Sequence, residues 1–128
     1  MKSRRLWIAL AILLLITAVS LGNQTIYHEM VTLLTEQLSR AIAAATVGDF
    51  AACSHWMQIF EREAERCLPF FNMTTSHHEV DEFMSTLTRA KMLLDQQKLA
   101  DFLVEADQLQ TRLAHIDASE QLLWDNIL

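Results

Sequence analysis

The sequence predicts an all-α protein: an N-terminal transmembrane or signal-anchor helix, followed by a four-helix bundle or stacked helical hairpins. Three observations lead there. Only two glycines and one proline occur in 128 residues, while Ala, Leu, Met, Gln and Glu are plentiful; such residues lose little rotamer freedom in a helix, and little is present to break one. No β-branched run bounded by turn residues occurs, as strands would need. Apolar residues recur at three- and four-residue steps along most of the chain, the period of helices that bury one face.

The first element is set by charge and hydropathy. Met1–Arg5, "MKSRR", holds three basic residues and no acidic one, and Leu6–Gly22, "LWIALAILLLITAVSLG", holds no charge at all. At about 1.5 Å per residue that run covers roughly 25 Å, close to a hydrocarbon core with slight thinning. Trp7 and Tyr27 are placed to sit at the two interfaces, and the positive-inside rule keeps residues 1–5 in the cytoplasm. Residues 26–128 then form an extracytoplasmic domain on a single-pass cell-membrane protein. The competing reading is a cleaved secretory signal, for which Ala18-Val19-Ser20 offers small residues.

The body is acidic. Of ten Lys and Arg, three lie in Met1–Arg5, so seven face sixteen Asp and Glu from Leu6 onward, a balance of −9. Nucleic acid is thereby excluded as a partner, because phosphate binding needs basic groups to displace counterions.

Four helices are expected in the body. From Ile26 to Thr46, the positions Ile26, Met30, Leu33, Leu34, Leu38, Ala41 and Ala45 form one face. In "VGDF", Gly48 suits a helix C′ position and Asp49 the next N-cap. Phe50, Cys53, Met57, Phe60, Ala64 and Cys67 follow at 3-4-3-4-3 spacing, a packing seam. Pro69 lacks an N–H and is expected to end or kink this helix near Leu68. Ser76 and Glu79 have the capping-box spacing before a third helix over about His77–Gln97, with Val80, Phe83, Met84, Leu87, Ala90 and Leu94 on its face. A boundary near "DQQK" separates it from Leu99, Phe102, Leu103, Ala106, Leu109, Leu113 and Ile116. Asp117 and Glu120 repeat the capping spacing before a short terminal helix. "GDFAACSHWMQIF" has the character of a helical hairpin, but no internal period stands out, which argues against a solenoid.

The chemically suggestive stretch is "TTSHHEVDEFM", Thr74–Met84. On a helix, His77 with Asp81 and His78 with Glu82 are i,i+4 pairs able to offer two ligands each, and a closed metal site would take a further ligand such as His55 or His115. The metal candidates are thus His77, His78, Glu79 and Asp81. The competing reading is a helix start, where Glu79, Asp81 and Glu82 complement the macrodipole; that reading is preferred, leaving no metal, cofactor or catalytic residue assigned. HExxH, Glu-x-x-His, glycine-rich phosphate loops and G-x-S-x-G are missing from the sequence, so an enzyme is not expected. Cys53 and Cys67, fourteen residues apart, would stand about 21 Å apart on one helix, too far for a disulfide. Both are expected as buried free thiols, unless the helix breaks between them or a bridge forms between molecules.

Several motifs in order resemble an uncharacterised bacterial family of small single-pass membrane proteins, mostly from Gram-positive spore-formers and catalogued as a domain of unknown function. They are the basic-then-apolar start, "GDF" before a helix containing Trp56, "SHHEVDEF" before a long helix, "LAHI" at 113–116 and the closing "WDNIL". His77, Glu79, Val80 and Asp81 fall at the family's histidine-plus-acid helix start, and Asn126 and Ile127 at its terminal Asn-Ile. The resemblance implies a helical extracytoplasmic domain behind one anchor and implies no activity. The expected function is a non-catalytic interaction or structural module, bound to the bilayer through Leu6–Gly22 and to a protein partner or a second copy. The alternatives are a metal sensor or enzyme built on the histidine cluster, and a bundle that binds a small ligand.

Overall fold

A computed structural model describes residues 2–127, with the side chains at 2, 20, 23–25, 27, 74 and 118–127 outside the description. The expected interface role of Tyr27, and the roles of Glu120, Asn126 and Ile127, lie outside it. Among the described residues the fold is all-α, with four helices: α1 (Lys2–Thr46), α2 (Phe50–Thr74), α3 (His77–Asp95) and α4 (Leu99–Ile127). The chain divides into two units, Met1–Met30 and Val31–Leu128.

The first unit is helical and its apolar side chains have no core to enter. Leu6 is 74 % exposed, Trp7 70 % and Leu15 65 %, and Ile8, Leu10, Ile12, Leu13, Leu14, Ile16, Val19 and Leu21 are exposed with them. Among the described residues no helix is long and apolar enough to cross a membrane. The unbroken described part of the run, Leu6–Val19, covers only about 20 Å at 1.5 Å per residue, short of a ~30 Å hydrocarbon core.

The second unit is an antiparallel helical bundle. Three short links join its helices, and two of them share one design. After α1, Asp49 N–H donates to Ala44 C=O at 2.9 Å and Gly48 N–H to Ala45 C=O at 3.0 Å, with Gly48 at φ 77°. After α3, Lys98 N–H donates to Leu93 C=O and Gln97 N–H to Leu94 C=O, both at 2.9 Å, with Gln97 at φ 59°. These are paired 6→1 and 5→2 bonds closed by a left-handed residue, the Schellman arrangement. Asp49 then caps α2 by accepting from Ala52 N–H at 3.1 Å. The α2–α3 link is built differently. Thr75 (φ −121°, ψ 154°) and Ser76 (φ −62°, ψ 146°) are extended, and Ser76 Oγ accepts from Glu79 N–H at 3.3 Å.

Side chains close the bundle into a ring. Arg40 of α1 lies over the Trp56 ring of α2, 4.9 Å from its centroid. Lys91 of α3 donates to Glu61 of α2 at 2.6 Å. Arg89 and Glu82 of α3 pair with Glu105 and Arg112 of α4, both at 3.3 Å. Gln110 of α4 donates to Ser39 of α1 at 3.2 Å. Inside, Phe83 meets Phe60 and Phe71 at centroid distances of 6.1 and 6.2 Å, tilted and edge-on geometries that aromatic rings favour.

The core repeats. Val31, Leu34, Gln37, Leu38, Ala41, Ala45, Cys53, Met57, Phe60, Ala64 and Cys67 are buried, and so are Val80, Phe83, Thr86, Leu87, Ala90, Leu94, Phe102, Ala106, Leu109, Leu113 and Ile116. Each residue of the first set has its counterpart 49 positions later (80 − 31, 116 − 67), and Gly48 and Gln97, the two left-handed residues among those described, keep the same interval. The α1–α2 and α3–α4 hairpins are therefore two versions of one unit. In each, residues of the first helix alternate at three and four, turn through a Schellman link, and alternate back. Sequence inspection finds no period because few of the paired residues are identical; burial repeats, and neither identity nor size does.

Four expectations are corrected. The helix does not end at Leu68, since α2 continues through Pro69 to Thr74. Pro69 and Glu65, whose carbonyl loses its helical donor, are both exposed, so the missing bond falls on the solvent side of the helix and not in the core. Asp117 does not cap a new helix, because α4 runs on to Ile127. The third helix stops at Asp95 rather than Gln97. Ile26 and Leu33 are exposed despite their period, and the buried Val31 and Phe71 were missed.

Candidate functional site

The histidine stretch opens α3 at the end of the bundle where the chain enters at Val31. Ser76 supplies half of the expected capping box. The Oε2 of Glu79 is buried without a hydrogen-bond partner. His77, His78 and Asp81 are exposed, and Glu79 lies in the first turn of α3, where a carboxylate complements the helix dipole.

Of the two further ligands weighed for the cluster, the structure holds His55 away from it and brings His115 level with it. His55 lies at the opposite end, edge-on to Trp56 with ring centroids 5.7 Å apart; twenty residues of α2 separate it from the α2–α3 link, about 30 Å along the axis. His115 comes nearer. Because Arg89 faces Glu105 and Glu82 faces Arg112, three residues before Glu82 lie level with three after Arg112, which puts Glu79 opposite His115. Among the described residues, though, no group of three His, Cys, Asp or Glu could hold a metal ion.

Cys53 and Cys67 are buried free thiols, and the unbroken α2 keeps them on one helix. Burial, with a smaller contribution from the Asp49 carboxylate, pushes the Cys53 thiol up to about 11. Burial, then Glu63, raises Cys67 as well. At neutral pH both are protonated and poor nucleophiles, since reactivity resides in the thiolate.

Two features were not legible in the sequence. One is the stack of Arg40 on Trp56, with Glu36 holding the same guanidinium at 3.1 Å; only the second hairpin, where Arg89 and Glu105 form an ion pair 49 residues on, shows Trp56 to be a departure from the repeat. The other is Gln37, buried with its Oε1 unpartnered. Its counterpart Thr86 is satisfied, donating to Glu82 C=O at 2.8 Å and accepting from Arg89 Nη2 at 3.2 Å. A groove of about 250 Å³ between α2 and α3 is lined by Ser54, Met57, Glu61, Lys91, Leu94 and Asp95. It is smaller than the roughly 300–1,000 Å³ of small-molecule sites, and the Lys91–Glu61 pair spans its wall.

No family model, curated protein or solved structure matches the chain.

Proposed function

We propose that the protein is a helical bundle anchored in the cell membrane by Leu6–Gly22, with the bundle outside, and that it works as a non-catalytic interaction module. The observation that carries the reading is the first unit: a helix whose large apolar side chains are exposed in series behind a basic, acid-free start. Apolar surface in that quantity is driven out of water, and a bilayer covers a helix on all sides. The complete charge-free run reaches roughly 25 Å, which slight bilayer thinning accommodates. The resemblance to small single-pass bacterial proteins supports the same topology.

The module reading is supported by how the bundle's polar groups are used. Three ion pairs join neighbouring helices, the thiols are buried and protonated, and the histidine stretch opens a helix capped by Ser76. Alkaline carbonate extraction of membranes from producing cells, with N-terminal sequencing of the retained protein, tests the anchor; the expected result is an intact N-terminus in the membrane fraction. Release into the supernatant, or a mature chain beginning after Ser20, would replace the anchor with a cleaved signal. A reporter fused after Leu128 tests sidedness, and activity confined to the cytoplasm would overturn export.

A further inference from the structure

We infer that the first unit pairs with its own kind: one face of α1, from Ala9 to Met30, packs in parallel against the same face of a second copy of the chain. The inference rests on the anchor proposed above and names the partner of the anchoring helix.

Spacing draws the face. Ala9, Ile12, Ile16, Val19, Ile26 and Met30 follow one another at alternating three- and four-residue steps, with Asn23 in the single place between Val19 and Ile26. The pattern is kept for three heptads (30 − 9 = 21). A seam of that period stays turned toward one partner helix through left-handed supercoiling. A lone polar residue at such a place, here Asn23, fixes register between the helices.

Residue type divides along the same line. None of the six leucines in Leu6–Gly22 falls on the seam, whereas Ile12, Ile16 and Val19 do. Inside a bilayer the lipid is as apolar as the side chains, so close packing rather than burial from water joins helices. β-branched side chains have one strongly preferred rotamer in a helix and lose little freedom when packed. The stiff residues therefore mark the packing face, and the leucines are left to the lipid.

The seam also runs past the apolar segment. Ile26 lies four residues beyond Gly22 and is 46 % exposed, Met30 is partly buried, and His28 and Glu29 fall off the seam. Lipid covers every side of a helix alike and ends with the hydrocarbon layer, so it neither selects this stripe nor follows it outward. A second α1 does both, since it carries the same seam at the same height. Copies anchored with one sidedness stand parallel, as a self-complementary contact about a two-fold axis along the helices requires. Confinement to one membrane raises their effective concentration. At roughly 80 Å² per seam side chain, the contact covers on the order of 1,000 Å² over both partners, the extent a specific interface needs.

The test is a cysteine scan of the full chain in its native membrane. Single cysteines replace Ile12, Val19 and Ile26 on the seam, and Leu14 and Leu21 on the opposite side of the helix, and the membranes are oxidised with copper phenanthroline. Cys53 and Cys67 are buried, so the parent chain should remain a monomer. Pairing predicts that Ile12→Cys, Val19→Cys and Ile26→Cys shift the denatured band from monomer to dimer mass, while Leu14→Cys and Leu21→Cys do not. Equal dimer on both sides of the helix, or none at any position in a chain retained intact by carbonate extraction, overturns the pairing and leaves the anchor standing. A chain released by extraction or shortened at its N-terminus overturns both. As a second variant, Ile26→Glu lies outside the charge-free run and sets two carboxylates face to face; it should remove the dimer band of Val19→Cys. His28→Glu, on the opposite side, should leave that band in place. A band that survives Ile26→Glu would refute the course given to the seam.

Discussion

Gln97→Gly is expected to stabilise the bundle, and the molecule contains its own control. Gln97 closes the Schellman link after α3 with φ 59°, in the region where a Cβ crowds the following carbonyl, at a cost of roughly 1–2 kcal/mol for an L-residue. Glycine removes that cost and returns about 0.4–1 kcal/mol through the larger entropy of the unfolded chain. The net gain is then about 0.5–1 kcal/mol. Gly48 occupies the same place in the first hairpin with φ 77°, and a Cβ built there meets nothing within 4 Å. Gly48→Ala therefore isolates the backbone term with no clash added, and should cost about 1 kcal/mol. In thermal unfolding followed by circular dichroism, each kcal/mol moves the midpoint by roughly 4–8 °C for a domain of this size. The two variants should shift the midpoint in opposite directions. A lower midpoint for Gln97→Gly, or no change for Gly48→Ala, would refute the left-handed geometry of that link and with it the equivalence of the two hairpins.

Three further outcomes follow from the packing. Phe83→Ala removes a fully buried ring that touches two other phenylalanines and should cost about 3–5 kcal/mol in urea unfolding; a loss under 1 kcal/mol would mean the core packs elsewhere. Pro69→Ala restores the N–H that the Glu65 carbonyl lacks in mid-helix and should stabilise by about 1–3 kcal/mol, and a destabilised variant would show that α2 breaks at Pro69 in solution. The thiols set an alkaline limit: folding holds Cys53 near 11 against an ordinary 9.0, so its neutral form favours the folded state. That contribution is complete below pH 9 and disappears as pH rises toward 11. Unfolding at pH 8 and pH 10.5 should show the loss, with a smaller drop in Cys53→Ala, and a thiol reagent at pH 7.5 should label the native protein far more slowly than the unfolded one.

The helices and most of the residues they bury are legible in the spacing of the apolar residues. The 3-4 spacing of Cys53, Met57, Phe60, Ala64 and Cys67, and of Val80, Phe83, Leu87, Ala90 and Leu94, marked residues that are all buried. Periodicity alone suffices there, because a helix with one apolar stripe has one face to hide. Asp49 and Ser76 were legible as caps for an equally local reason: each cap bond spans three residues. The candidate site was legible only as a helix start. Whether His55 or His115 could join His77 depends on which helix ends share a level, and the sequence does not carry that register.

Three other features come from packing between helices. Pro69 stays inside α2 on an exposed face of the helix, and Phe71, two residues beyond it, thereby reaches the core. Gln97 turns left-handed although nothing in "DQQK" demands it, since α4 has to return along α3 to bury Phe102 and Leu109. The 49-residue repeat emerges only once burial is known. Packing constrains which positions face inward far more tightly than which residue stands there, so Leu34 and Phe83, Cys53 and Phe102, or Ala64 and Leu113 occupy equivalent buried places while differing in size and looking unrelated as letters.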